Sequence, residues 1–392
     1  MKHYIAILLG FLVFTKCHTD LNLGNRLFVV ERGSSHLAVI DIQKLKIITK
    51  IPLSGNLRHA SMVFGPALHY GYLATRNGIL TRVNLESLKE EGTLKTSQNS
   101  IGIAISQDGQ TIAVAEYKPG GITLIDTKSF SFINKIPAKT RFNDKLILSR
   151  VTGLVDGLDN TFVCALMDSD EIWELAKNRD SSKYEIRRKF KAIAKNPFDA
   201  LITPEGRYYI TGHFKSDRIS LIDLWSNDSK AKPILFKPIS SSKRLPTKMV
   251  HMESWAVAGS RIYIPSADEQ RISVISSHDF SYKGSISLIG SPVYAMVHPG
   301  HKELWVTFSG DEQDGKIQII STITMKTIKI LEAGKRIYHM AFSPRGDRAF
   351  VSSNESNELL VIHCADYSII KKIPLKSPSG IFGVWRAFQI GL

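Results

Sequence analysis

A strand that closes on an apolar or β-branched pair and then a turn residue recurs eight times along the chain: LAVID, LTRVN, ITLID, EIWEL, ISLID, ISVIS, IQIIS and LLVIH. Anchored on Asp41, Asn84, Asp126, Glu174, Asp223, Ser276, Ser321 and His363, successive copies lie 42 to 53 residues apart. A repeat of that length cannot bury its own faces and must stack on its neighbours. The chain therefore reads as all-β, a single eight-bladed β-propeller over residues 25–392. This overrides the prior of about 150 residues per domain.

The clearest unit is residues 99–137, where four strand-like runs are separated by Gly, Asp and Pro turn signals. Its QDG and PGG turns, ending on Gly109 and Gly121, supply the positive-φ positions that tight hairpins need. The N-terminal end offers RLFVV, LAVID and IITKI with no inner strand before them. The C-terminal GIFGVWRAFQI, residues 380–390, is an apolar strand with no outer partners left. It should complete the first blade as its innermost strand, removing the exposed edges of an open sheet.

Residues 1–16 differ in kind. MKH precedes the 12-residue apolar run YIAILLGFLVFT, a basic segment and a hydrophobic segment too short to span a bilayer as a helix. The expectation is a signal peptide and a periplasmic protein. Cys17 follows directly, and FTKC partly matches a lipobox, while Lys16 takes the place of the small residue such motifs carry. Membrane attachment through a lipidated Cys17 and a free periplasmic form both stay open.

Cys164 and Cys364 sit in strand-like runs and read as small buried hydrophobes. There is no CxxC and no CxxCH, so electrons handled here must pass to an acceptor outside the chain. Net charge is +15, which favours anionic partners, but the basic residues are scattered rather than gathered with aromatics. Nucleic acid is not the reading. GxSxG, HExxH and a phosphate-binding glycine loop are all missing from the sequence.

Propellers host unrelated chemistries, so function must come from residues around the central channel. His59 stands at the entry to the apolar strand Ala60 to Phe64, while Asp199 in NPFDALI and His251 in TKMVHMESWAV open two others.

Long phrases carry a resemblance: FVVERGSSHLAVID, HASMVF, NSIGIAISQDG, TGLVDG, DSDEIW, NPFDALITPEGRYYITG, KMVHMESWA, FSPRGDRAFVS, SPSGIF and the terminal IGL. From about Arg26 to Leu392 the chain resembles the NirF family of haem d1 biosynthesis proteins. It is more distantly similar to the d1-haem propeller domain of cytochrome-type nitrite reductase. That resemblance implies an axial role for the His in LRHASMVFGP, which makes His59 the ligand to the iron of a bound tetrapyrrole. Of two further reductase histidines, one matches His251, and the other falls where this chain has Phe198 and Asp199. Together with the missing c-haem motif, this argues against nitrite reduction and for a biosynthetic role.

The resemblance also implies a functional Asp156 in GLVD, a carboxylate able to accept a proton beside the ligand, although VDGLDN is equally a good turn. A d1-type tetrapyrrole carries several carboxylates, for which Arg forks are suited. Arg32, Arg58, Arg76, Lys248 and Arg386, with Asp199, are the candidate contacts. SPSGIF, residues 377–382, would approach the macrocycle as a loop of small residues. His213, His298, His301, His339 and His363 read as surface or turn residues.

On this reading the chain binds haem d1 or dihydro-haem d1 and takes part in its oxidative maturation, a dehydrogenation using His59, Asp156 and His251. An external electron acceptor would be needed. Two alternatives stand beside it. One is a non-catalytic carrier that passes the ligand to other haem d1 maturation proteins or to nitrite reductase, and the other is a periplasmic protein-interaction propeller with no chromophore.

Overall fold

A computed structural model describes residues 22–391 apart from positions 143, 215, 217, 229, 236–255 and 267–268. The expected leader with Cys17, and Lys248 and His251, lie outside the described residues. The described chain forms eight four-stranded antiparallel sheets, the blades of a propeller, and one extra two-stranded hairpin. The innermost strands, taken from the first blade to the eighth, are Pro378–Gly383, Ser61–Phe64, Asn99–Ile105, Val151–Asp156, Pro197–Ile202, Ala256–Ala258, Ser291–Val297 and Ile337–Phe342.

Closure occurs as the apolar ends of the chain suggest. Pro378–Gly383 pairs antiparallel with Arg26–Glu31, placing Leu27 opposite Gly383, Phe28 opposite Phe382 and Val29 opposite Ile381. The boundaries differ from the sequence expectation. The closing strand begins at Pro378, so most of SPSGIF is strand rather than loop, and Val384–Phe388 coils into a 3-10 turn. The reason is packing: the Trp385 ring lies where a Cβ on Gly383 would sit, 2.2 Å away, and Val384 is buried in the core between the first two blades.

All eight anchors of the repeat fall on the third strand of a blade. The side chains explain the residue type. Asp41 Oδ1 accepts the N–H groups of Gln43 and Lys44 at 2.9 Å, and Asn84 Oδ1 accepts those of Glu86 and Ser87 at 2.9 and 2.8 Å. Each turns the chain toward the outer strand as a side-chain mimic of a backbone turn. Four residues after an anchor the backbone takes a left-handed conformation at Leu45, Leu88, Phe130, Phe280, Met325 and Tyr367. That costs about 1–2 kcal/mol for a bulky residue. It is offset because each of the six side chains packs on a buried apolar cluster.

The hairpin Lys139–Phe142 with Lys145–Leu148, inserted between the third and fourth blades, is unanticipated by the repeat. It accounts for part of the longer spacing there. Cys164 and Cys364 are buried and unpaired with each other.

One irregularity positions the site. Among the described residues, the pairing of the innermost strand shifts register near that strand's first residues in six blades: Ser100 to Gly102, Thr152 to Val155, Pro197 to Ala200, Pro292 to Tyr294, Ile337 to Met340, and opposite Val29 to Glu31. A bulge re-aims side chains that regular pleating would send into a sheet face. Here the irregular stretches converge on one end of the channel.

Candidate functional site

At the end of the channel where the innermost strands begin lies a cavity of about 340 Å³. His59, Arg32, Arg76, Asp199 and Arg386 all line it. The residues come from the first, second and fifth blades, so only the closed ring assembles them.

His59 precedes the innermost strand of the second blade and has φ 51°, a left-handed conformation uncommon for a residue with a side chain. Burial, and then the nearby Arg76, Arg32 and Arg58, push its pKa below the usual imidazole range. The ring is therefore neutral at neutral pH, the form that binds a metal.

Three cations lie over aromatic faces. The Arg32 guanidinium lies 4.4 Å from the centre of the Tyr338 ring, Arg76 lies 5.0 Å from Tyr117, and Arg386 lies 5.2 Å from Phe382. Burial lowers the pKa of Arg32, opposed by Tyr338, and its Nε has no hydrogen-bond partner among the described residues. Tyr117 is pushed up to about 12, chiefly by burial, and stays protonated. Guanidinium groups that line a cavity suit carboxylates of a ligand.

Asp199 faces these cations from the fifth blade. It is 8% exposed, and its Oδ2 accepts no hydrogen bond from any described residue. Burial raises its pKa to about 8. A carboxyl held neutral at pH 7 can donate a hydrogen bond, and once ionised it can accept a proton. Phe198 and Phe214, ring centres 4.5 Å apart, flank it with apolar surface.

The floor is kept low by glycine. Gly153 has φ 51°, and a Cβ there would meet Phe198 O and Tyr209 Oη at 2.9 Å. Gly380, also in the lining, has the Phe382 ring 2.6 Å from where its Cβ would be. Both leave room for close approach of a flat ligand.

Two expected residues fall elsewhere. Arg58 is exposed and does not line the cavity, although its charge acts on His59. Asp156 does not stand beside the cavity: it is the last residue of its innermost strand, while Thr152, Gly153 and Leu154 of the same strand form the lining. At about 3.3 Å per residue, strand geometry alone carries it roughly 7–13 Å further down the channel.

A model of the family described as Cytochrome D1 heme domain matches residues 21–387. Protein NirF of Stutzerimonas stutzeri is 36% identical over 93% of this chain and 92% of its own length, and Protein NirF of Pseudomonas aeruginosa is 35% identical over the same shares. The chain belongs to the NirF family of cytochrome d1 heme domain proteins. A dihydro-heme d1 dehydrogenase of Pseudomonas aeruginosa is 27% identical over 92% of this chain and 71% of that protein. Among solved structures, dihydro-heme d1 dehydrogenase NirN in complex with DHE superposes with a TM-score of 0.81 at 23% identity, over 93% of this chain and 76% of the other. Apo AztD from Citrobacter koseri, at a TM-score of 0.67 and 12% identity over 91% and 96% of the two chains, shares the fold.

In this NirF-family chain, sequence reasoning missed Tyr117, Tyr294, Tyr338 and His339, all of which line the cavity. His339 is neither a surface nor a turn residue. It is 7% exposed, packs edge-on against Tyr294 at 4.7 Å, and accepts the N–H of Ile381 on Nδ1. The signal was present: FDALITP and YHMAFSP align blade on blade, and the alignment sets Asp199 on His339. His213 is likewise buried, bonded to Ser220 Oγ at 2.8 Å, and its pKa is pushed down to about 4 by burial.

Proposed function

We propose that the cavity binds haem d1 or its dihydro precursor, and that the chain takes part in the late oxidative maturation of that tetrapyrrole. The observation that carries this reading is one cavity holding a neutral imidazole, three arginines and a buried carboxyl whose Oδ2 has no hydrogen-bond partner among the described residues. His59 would hold the iron. Arg32, Arg76 and Arg386 would neutralise peripheral carboxylates, and Phe198 and Phe214 would exclude water beside Asp199. The similarity to dihydro-heme d1 dehydrogenases supports the class of ligand.

Dehydrogenation turns a carbon–carbon single bond into a double bond and releases two electrons and two protons. The macrocycle supplies the electronic path, and an external electron acceptor takes the electrons. Asp199, in its ionised form, is placed to take one proton from a ligand in the cavity, and water takes the other. A chain that binds but does not turn over would instead be a carrier, handing the tetrapyrrole to another maturation protein or to nitrite reductase.

We extend the proposal to a periplasmic site of action on the strength of residues 1–16, with Cys17 as an anchor. Mass spectrometry of the mature N-terminus tests both.

The deciding measurement is a visible absorption titration with dihydro-haem d1, run beside His59→Ala. Saturable shifts in the parent protein, weakened by about tenfold or more and altered in band position in the variant, are expected. No shift in the parent protein would sink the tetrapyrrole reading. Turnover with an added acceptor then separates catalyst from carrier.

A further inference from the structure

Asp156 is 3% exposed at the end of the channel opposite His59. Its Oδ1 accepts the backbone N–H of Gly391 at 2.9 Å, and its Oδ2 accepts the amide N–H of Gln107. The first of these bonds fastens the C-terminal segment. That segment leaves the closing strand at Gly383, makes the 3-10 turn Val384–Phe388 and runs on to Gly391.

The seat at Gly391 is built closely. Its φ is +77°, and a Cβ there would lie 2.0 Å from Cγ2 of Ile202. Next to it, a Cβ on Gly206 would come within 2.9 Å of Cδ1 of Ile390. The segment is thus a strap, pinned at one end by strand pairing of Gly383 with Leu27 and at the other by Asp156.

Arg386 stands between the two pins. It lines the His59 cavity and also two further pockets of about 760 and 270 Å³, and the smaller of these is shared with Asp156 and Gln107. Its guanidinium lies over the Phe382 ring of the closing strand, and the path of the strap that carries it is set by how both ends are held. We infer that Asp156 is a positioning residue, which acts through the C-terminal strap to hold Arg386 in the His59 cavity. Its carboxylate is engaged with Gly391 and Gln107, so its part is to receive backbone and amide hydrogen bonds rather than to meet the ligand. The consequence for ligand affinity rests on the tetrapyrrole reading above, whereas the anchoring itself belongs to the ligand-free protein.

The test has two arms on the full chain. In the first, hydrogen exchange of the peptide covering residues 384–391 is followed without ligand in the parent, Asp156→Asn, Asp156→Ala and Gly391→Ala. The side-chain oxygen of Asn still accepts the Gly391 N–H, so the expected result is exchange faster by about tenfold or more in Asp156→Ala and Gly391→Ala and close to the parent in Asp156→Asn. Unchanged exchange in Asp156→Ala would overturn the anchor whatever the ligand does.

In the second arm, dihydro-haem d1 is titrated into the same proteins, into Arg386→Ala, and into Asp156→Ala combined with Arg386→Ala. The expected result is a loss of about tenfold in affinity for Asp156→Ala, Gly391→Ala and Arg386→Ala alike, and no further loss in the double variant, because one interaction is being removed by two routes. Asp156→Asn should bind like the parent. An Asn variant as weak as the Ala variant, or losses that multiply in the double variant, would overturn the inference by showing that Asp156 acts through its own charge. If the parent itself fails to bind, the function proposed above falls, and the exchange arm still decides the anchor.

Discussion

Asp199 is the cavity carboxyl whose chemistry departs far from its ordinary value. Its carboxyl has a pKa near 8 in the folded protein against 3.8 without the fold, because burial disfavours its ionised form. Below about pH 4 both folded and unfolded chains hold the proton and nothing is lost. Between 4 and 8 the unfolded chain releases it while the folded chain does not, so stability falls with rising pH and levels off above 8. The sum is of the order of a few kcal/mol, at about 1.4 kcal/mol per unit. Asp199→Asn should therefore raise the melting temperature at pH 8 and leave it nearly unchanged at pH 4, which calorimetry at the two values checks. The same carboxyl governs turnover on the proposed function. If it accepts a proton, the rate rises with pH and flattens above about 8, and Asp199→Asn abolishes that profile. A carboxyl kept at such a cost in a cavity wall is a candidate for binding or chemistry.

At the scale of strands and turns, legibility followed the strength of the local signal. The anchors were readable because Asp41, Asn84 and Asp126 close turns with their own side chains, a role that selects residue type. The hairpin at residues 139–148 was not, since KTRFNDKLIL leaves Leu146 and Leu148 exposed and lacks the inward apolar stripe that marks a blade strand. Asp156 read as a carboxylate beside the ligand, or as a turn residue, and it ends its strand below the lining residues Thr152, Gly153 and Leu154, a depth that sequence pattern does not encode. The cavity's aromatic lining was hidden by the register shifts, which break the two-residue alternation exactly where it would have been informative only if regular. Gly153 sits in one of those shifts at positive φ, with Phe198 O and Tyr209 Oη both 2.9 Å from the missing Cβ. Gly153→Ala should cost about 1–3 kcal/mol in backbone strain and displaced contacts. It should also weaken dihydro-haem d1 binding, since the displaced atoms belong to the cavity wall. Thermal melting and the absorption titration read the two effects separately, and a variant as stable and as tight-binding as the parent would refute the argument.

The whole molecule is a ring closed once, by residues more than three hundred positions apart. Besides the paired strands, Glu31, fully buried in the first blade, receives Lys50 Nζ at 2.8 Å and the backbone N–H of Lys376 at 2.7 Å, so a charge-assisted bond stands at the seam. Further links join neighbouring blades around the ring: Arg188 donates to Ser226 O and Leu224 O at 2.6 and 2.7 Å, Arg261 to Thr322 O at 2.6 Å, and Tyr367 to Glu303 at 2.7 Å. Most of these fasten neighbours in sequence and lose little if the ring opens. The seam alone joins the first blade to the last strand, so its removal exposes an edge on the first blade and separates Arg32 and His59 from Gly380 and Arg386 across the cavity. A ligand that spans the cavity binds only the closed ring and stabilises it by mass action, by about 2.7 kcal/mol at a hundredfold excess over Kd. Saturating dihydro-haem d1 should thus raise the melting temperature of the parent protein by a few degrees. Glu31→Ala should lower the ligand-free melting temperature and enlarge that increment relative to the stability that remains, because the ligand then supplies closure the seam has lost. A chain ending at Ser377 should show no increment at all, since it lacks the closing strand and the turn after it, which bring Ser379, Gly380, Phe382 and Arg386 to the cavity. An equal increment in the truncated chain would mean that the ligand sits within a single blade, and that closure of the ring has no part in binding.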